Sequence, residues 1–344
     1  MTVNTLDTLK SGYRSRKLRW MLVTVILLIL TFSLCTAMLL LGNTLYSPAI
    51  AVRVLLGEQI QGASFAIGTL RLPRMLSGLL VGIAFGMAGS TFQTMLRNPL
   101  ASPDIIGITS GSSVAAVFCI LVLKISGVLV SAASVIAGLF VAALIYILSR
   151  GGSFSGGRLI LIGIGIQAML NAMVSFLLLR ASQYDVPGAL RWLSGSLNGI
   201  QMADIPGLFV VVAFFGLVII LLGKHLKILE LGEQSAVTLG LRSDRTRILL
   251  VLSSVFLIAA ATAVTGPVAF VAFLAGPIAA RLVGTGAPNE IPSGLVGALL
   301  VLGADLIGQF AFDLRFPVGI ITGILGAPYL LFLLIRMNRT GGSS

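Results

Sequence analysis

Long apolar runs, separated by short polar breaks, recur along almost the whole chain. The runs carry no charged residue except the ninth, which contains one acid; they are Trp20–Leu41, Met75–Leu96, Ile105–Leu123, Val128–Leu148, Leu159–Leu179, Pro206–Gly223, Ile248–Val264, Val268–Ala280, Gly294–Phe312 and Val318–Ile335. A membrane-spanning α-helix needs about 20 mainly apolar residues, and these runs do not alternate as the strands of a membrane barrel do. The pattern predicts an all-α integral membrane protein with about ten transmembrane helices.

The seventh and eighth runs are the least regular of the ten. The stretch 248–280 is too long for one helix and short for two. It is interrupted by Thr265-Gly266-Pro267 and again by Gly276-Pro277. Proline removes a backbone N–H group and clashes with the preceding helical turn. Both positions are therefore predicted to break the helical path.

Composition agrees with a lipid environment. Hydrophobic residues make up 57% of the chain and charged residues only 10%, against roughly 25% charged residues in a soluble domain. The net charge of +12 does not indicate nucleic-acid binding, because Lys and Arg accumulate beside membrane spans on the cytoplasmic side. With the N-terminus inside, most of the 23 basic residues fall on that side. The sequence predicts a cytoplasmic N-terminal segment 1–19, a membrane domain 20–336 and a cytoplasmic tail 337–344.

Two connections are longer than the rest. The outer loop 43–74 is long enough to hold a small amphipathic helix, and the inner loop 224–247 is the most polar internal stretch. Neither loop contains the glycine-rich sequence that ends in Gly-Lys-Ser/Thr and cradles nucleotide phosphates. The chain is therefore not expected to hydrolyse ATP itself.

Catalytic chemistry, a metal site and a cofactor are not expected. His225 is the only histidine, and it cannot form a catalytic triad or a metal site with any partner evident in the sequence. Cys35 and Cys119 both fall inside apolar runs, where buried packing is the usual role of cysteine. The sequence therefore predicts a protein that is not an enzyme.

Two local patterns concern packing and helix initiation. Gly78, Gly82, Gly86 and Gly89 follow one another at near-helical spacing in the second run, and small residues on one stripe let membrane helices approach closely. Ser102-Pro103-Asp104 combines a hydroxyl cap, an early proline and an acid, which is typical of a helix N-terminus.

Several motifs together resemble a known family. The segment Leu70-Arg71-Leu72-Pro73-Arg74 precedes the glycine stripe and is followed by Gln93, Arg97-Asn98-Pro99-Leu100-Ala101 and Pro103; further matching motifs are 158–163, 192–197, 229–232, 239–240, 266–271, 304–305 and 317–319. On these motifs the chain closely resembles the FecCD family from residue 70 to residue 335. Members of this family are permeases of ABC importers for iron–siderophore complexes, haem and cobalamin.

The resemblance implies a fold, a function and partners. It implies a type II ABC importer permease architecture in a bacterial cytoplasmic membrane, as a homodimer or as a heterodimer with a related permease. Two ATPase subunits would bind from the cytoplasm and a substrate-binding protein from outside. Iron–siderophore complexes are the favoured substrate class, with cobalamin and haem as alternatives.

The resemblance also implies roles for individual residues. Arg71 and Arg74, with Arg315 as a weaker candidate, resemble the outer arginines that receive acidic residues of the binding protein. Asn98 and Leu100 match a turn of the cytoplasmic gate. The segment 227–243 resembles the ATPase-docking helices; its named candidate residues are Leu231, Gly232, Ala236, Leu239 and Gly240.

Asp305 leaves two interpretations open. An acid inside a membrane span costs at least ~2.5 kcal/mol and marks a functional site by default, so an ion-coupled secondary transporter that uses Asp305 is the rival from another class. However, Gln309 lies one helical turn further along and can hydrogen-bond this carboxyl group. A structural polar contact is the favoured role.

Overall fold

The computed structural model describes residues 5–149, 156–284 and 286–341. Its α-helices are α1 (Thr5–Leu40), α2 (Pro48–Leu55), α3 (Leu72–Met95), α4 (Ile108–Leu121), α5 (Val128–Ser149), α6 (Gly156–Arg180), α7 (Val186–Leu193), α8 (Ile205–Glu230), α9 (Glu233–Thr238), α10 (Ser243–Thr265), α11 (Val271–Val283), α12 (Glu290–Phe310) and α13 (Val318–Gly341). A π-helix, Ser64–Arg71, runs directly into α3, and short 3-10 helices lie at Pro103–Ile106 and Met202–Asp204. The described ranges contain helices and no strand.

The prediction of an all-α membrane protein is confirmed. Within the described ranges, seven helices are long and apolar enough to span a membrane, and three shorter apolar helices accompany them: α4, α11 and Val318–Phe332 within α13. These ten helices coincide with the ten apolar runs of the sequence. The small helix expected in the outer loop is present as α2.

One of the two predicted helix breaks is correct. The chain leaves α10 at Gly266, whose φ of 74° lies in the left-handed region, and α11 starts only at Val271. The second break, at Gly276-Pro277, is wrong, because α11 continues through Pro277. Proline leaves the carbonyl of Phe273, four residues earlier, without its helical donor. The side-chain amide of Gln93 on α3 donates to that carbonyl at 2.9 Å, which replaces the hydrogen bond that the proline removes.

The predicted domain boundaries do not coincide with structural breaks. Helix α1 begins at Thr5 and passes through residue 19 without interruption, and α13 continues to Gly341. At the boundary itself, Arg19 donates to the carbonyl oxygens of Leu282 and Arg281, at 2.9 and 3.0 Å, where α11 ends. Residues 1–4 of the predicted N-terminal segment and 342–344 of the tail lie outside the described ranges. Helix α7 has no counterpart among the sequence predictions.

Helix α3 is the centre of the fold, since 83% of its most apolar window is buried. A Cβ atom added at Gly82 would lie 2.4 Å from Cα of Ala298, and one at Gly86 would lie 2.1 Å from the carbonyl oxygen of Ser293. The glycine stripe therefore brings the backbones of α3 and α12 into direct contact, as the sequence predicts. At the inner end of this pair, the Asn289 amide donates to the Ser90 hydroxyl at 3.0 Å.

Candidate docking surfaces and gate

Arg74, at the start of α3, forms an ion pair with Asp305 of α12. Its Nε and Nη2 atoms donate to the two carboxylate oxygens, each at 2.8 Å. The Asp305 side chain is only 1% exposed and that of Arg74 only 16%. Gln309 donates to the same carboxylate at 2.7 Å, as the sequence suggested. The arginine partner was not foreseen, although the cost of burying an unpaired acid in a membrane points to a basic partner.

Arg71 is also occupied by its own chain. Its Nη1 atom donates to the carbonyl oxygens of Leu39 and Leu40, both at 2.9 Å, and Nη2 donates to the carbonyl of Thr44 at 2.7 Å. These carbonyls lie at and just beyond the C-terminal end of α1, where helices leave acceptors without intrahelical donors. The guanidinium also lies over the ring of Tyr46. Arg71 therefore anchors the outer end of α1.

Arg315 is the most exposed of the three outer arginines. Its Nη2 atom donates to the Asn43 side chain at 3.0 Å. Arg71, Arg74 and Arg315 line one cavity of about 790 Å³, which we call the outer cavity. The structure thus brings the three predicted docking residues together, but it leaves mainly Arg315 open to a partner.

The outer loop beside this cavity carries an ion pair of its own. Arg53 of α2 donates to Glu58 through two nitrogens. The hydrogen bond from Arg53 lowers the pKa of Glu58. Both side chains are about half exposed, so this pair adds little to stability.

The predicted gate residues form a tight turn between α3 and the next helix. Asn98 accepts a hydrogen bond from the backbone N–H of Leu100 through its side-chain oxygen at 2.9 Å, an Asx turn. Leu100 packs beside Phe273 and Leu274 of α11. The turn is therefore packed against α11. Its role as a gate stays a prediction.

The helix start predicted after this turn is present. Ser102 caps the 3-10 helix that begins at Pro103, and Thr109 donates to the Asp104 carboxylate at 3.0 Å. Burial raises the pKa of Asp104, while the hydrogen bonds from Thr109 and Ser102 lower it.

The predicted ATPase-docking residues separate into three groups. Leu231 and Leu239, 64% and 62% exposed, present apolar side chains beside α9. Gly232 and Gly240 have φ angles of 107° and 80° and act as turn residues. Ala236 is fully buried in the main core, because the short helix α9 turns this position inward; its contact with a partner stays a prediction.

The docking segment lies close to the gate turn. A Cβ atom added at Gly232 would lie 3.3 Å from Nη1 of Arg97, the residue that precedes Asn98 and has a φ of 51°. Glu233 of α9 lies 3.8 Å from Arg247 of α10. The guanidinium group of Arg97 therefore lies beside the backbone that leads into α9.

Among the described residues, no cluster of three or more His, Cys, Asp or Glu side chains could hold a metal ion. The features above define a multi-pass helical membrane protein with polar surfaces at both faces. The chain belongs to the FecCD transport family, whose model matches residues 11–336.

Individual relatives share about a third of its residues. The ferric enterobactin transport system permease protein FepG of Escherichia coli is 36% identical over 83% of this chain and 87% of its own length. The achromobactin transport system permease protein CbrC of Dickeya dadantii is 36% identical over 91% of this chain and 90% of its own. A solved ABC transporter described as of the metal-chelate type, in an inward-facing conformation, is 27% identical and superposes with a TM-score of 0.81 over 91% of this chain and 99% of the solved one.

Proposed function

We propose that this chain is the permease subunit of an ATP-driven ABC importer that translocates an iron–siderophore complex. The observation that carries the proposal is the family match over nearly the whole chain, together with relatives named as permeases for ferric siderophores. The likeness to a metal-chelate transporter supports the same substrate class. The permease makes and breaks no covalent bond, and a separate ATPase hydrolyses the ATP.

The mechanism we propose is alternating access in a permease dimer in the cytoplasmic membrane of a bacterium, with both termini cytoplasmic. The second permease is either another copy or a related chain. ATP binding closes the ATPase pair and draws the docking segments together. The proximity of Gly232 to Arg97 supports a direct route from the docking segment to the gate turn at Asn98 and Leu100.

We place the docking of the substrate-binding protein at the outer cavity. Arg315 is exposed there, and its planar fork of donors suits a carboxylate. Arg71 and Arg74 already bind acceptors of their own chain. They therefore shape the cavity and add positive charge, while Arg315 makes the direct contact with acidic residues of the binding protein.

The function can be tested by reconstituting the permease in vesicles with its ATPase and binding protein. We expect uptake of a ferric siderophore that requires ATP and does not respond to an imposed pH gradient. Cobalamin and haem, offered in parallel, are expected to be poor substrates. Uptake driven by a pH gradient without ATP would contradict the importer and favour the secondary transporter; efficient uptake of cobalamin or haem alone would contradict the substrate class.

The ATPase-docking segment can be tested by crosslinking. In a background with Cys35 and Cys119 replaced by alanine, Leu239→Cys is expected to crosslink efficiently to an ATPase subunit, because its side chain is 62% exposed. Ala236→Cys, in the same segment but buried, is the matched control and should not react. Crosslinking through the inner loop 150–157, with none at position 239, would place the ATPase elsewhere.

A further inference from the structure

Helix α6 is the least buried of the seven long spanning helices. Only 22% of its most apolar window is buried, against 83% for α3. Its accessible side nevertheless carries polar side chains at helical spacing, since Gln167, Asn171 and Ser175 follow one another at intervals of four residues. A polar group without a hydrogen-bond partner is costly in hydrocarbon. This side of α6 is therefore poorly suited to face lipid.

Two of these side chains, Asn171 and Ser175, lie at a cavity of about 370 Å³, which we call the mid-span cavity. Asn171 and Ser175 of α6 line one wall, and Thr109, Ser110 and Ser113 of α4 line the facing wall. Val174, Leu193 and Pro267 complete the described lining, and none of these residues is charged. The cavity thus combines hydroxyl and amide groups with neutral walls.

Pro267 belongs to an irregular stretch of backbone between α10 and α11. Helix α11 has 13 residues, about 20 Å at 1.5 Å per residue, which is shorter than the ~30 Å hydrocarbon core. Because Arg281 lies in the last turn and Arg19 binds the last carbonyls of α11, we infer that its C-terminal end is at the membrane surface and that its N-terminal end, with the non-helical segment 266–270, lies within the membrane. Irregular backbone at that depth is tolerated where it is buried in protein or lines a water-filled cavity. That Pro267 lines the mid-span cavity is independent support for an aqueous space there.

The cavity offers both hydrogen-bond donors and acceptors. The hydroxyl protons of Ser113 and Ser175 are donated to backbone carbonyls of their own helices, at 2.7 and 3.0 Å, so their oxygens remain acceptors. The Asn171 amide is exposed and makes no hydrogen bond to another described residue. Its two N–H groups are thus available to a ligand. Neutral donors and acceptors of this kind match amide, carbonyl and hydroxyl groups, whereas a bare metal ion or a strongly charged group would require charged partners.

We propose that the mid-span cavity is a hydrogen-bonding subsite on the transport route, where Asn171 and the α4 serines bind the neutral amide and carbonyl groups at the periphery of the chelate. This inference rests on the proposed function. In this proposal the cavity binds the organic ligand of the complex and makes no contact with the iron centre. Asn171 is the donor in this arrangement, and Ser110 and Ser113 supply acceptors.

Thiol labelling tests whether the cavity is aqueous. In the cysteine-free background, Asn171→Cys in the assembled importer is expected to react with a membrane-impermeant charged thiosulfonate reagent. Met169→Cys is the matched control, because both positions are exposed in the single chain but Met169 lies about 200° around the helix from position 171. No labelling at 171 would mean that lipid or a second permease covers this side of α6, and equal labelling of both positions would mean that the cavity is no more aqueous than the opposite side of the helix; either result would overturn the proposal.

Transport kinetics test whether the cavity binds the chelate. Asn171→Leu is expected to lower uptake of an amide-rich ferric chelate by about three- to tenfold, as for the loss of one hydrogen bond. Asn171→Gln should restore most of the uptake. The same ferric chelate, with its binding protein, should also slow labelling of Asn171→Cys.

These outcomes distinguish a failure of the proposed subsite from a failure of the proposed importer function. If the wild-type protein transports ferric chelates but Asn171→Leu transports them equally well, and labelling at 171 is not slowed, the subsite alone is wrong. If the wild-type protein transports no ferric chelate, the proposed function fails, and the assignment of the ligand fails with it.

Discussion

Replacing Gly86 with alanine is expected to prevent α3 and α12 from packing and to destabilise the protein by about 3 kcal/mol or more. The added Cβ atom would lie 2.1 Å from the carbonyl oxygen of Ser293 and 2.9 Å from its carbon. Both are backbone atoms of the neighbouring helix, so no side-chain rotation relieves the overlap. The two helices would have to separate, and the close contact along the glycine stripe would be lost.

The measurement is the thermal midpoint and the yield of folded protein in detergent. Gly165→Ala is the matched control, because it makes the same chemical change in a membrane helix where nothing lies within 4 Å of the new Cβ atom. A Gly86→Ala protein as stable as Gly165→Ala would show that the two backbones are not in contact.

Removing the arginine from the Arg74–Asp305 pair is the second change with a large expected effect. Arg74→Leu leaves a carboxylate that is 1% exposed without its counter-charge, and breaking a buried pair in this way costs about 3–5 kcal/mol. Arg74→Leu combined with Asp305→Leu removes both charges and should recover much of that loss. A double-mutant cycle on the thermal stability of the two single and the double variant measures the coupling. A coupling near zero would mean that water solvates the carboxylate.

Arg315→Glu provides the contrast with Arg74. Because Arg315 is exposed and donates a hydrogen bond to the Asn43 side chain, its replacement should leave the thermal midpoint unchanged. It should instead raise the dissociation constant for the binding protein, and less so at high salt. Unchanged docking with Arg315→Glu would remove the outer cavity from the docking surface.

The membrane spans could be predicted from the sequence because lipid imposes a strong requirement. Each crossing must satisfy its own backbone hydrogen bonds within a long apolar helix, so all ten runs reappear as helices. The predicted break at Pro277 failed for a different reason. The missing hydrogen bond there is supplied by Gln93, which lies on another helix, and no local pattern reveals such a donor.

The candidate sites were predictable in position but not in contacts. The sequence placed Arg71, Arg74 and Arg315 on the outer side, and the structure brings them to one cavity. That Arg74 is neutralised by Asp305 depends on the packing of α3 against α12, far apart in the chain. The orientation of Ala236 could not be foreseen either, because a helix as short as α9 has too few residues for a clear hydrophobic period.

The contact between α3 and α12 has a mechanical consequence. Ordinary helix pairs slide when interlocked side chains change rotamers, but here backbone meets backbone, with Ala298 against Gly82. The pair is also pinned near both ends, by Arg74 and Asp305 outside and by Ser90 and Asn289 inside. The two helices are therefore expected to tilt or translate together and not to slide past each other. We therefore expect a conformational cycle to move α3 and α12 as one rigid unit against the helices around them.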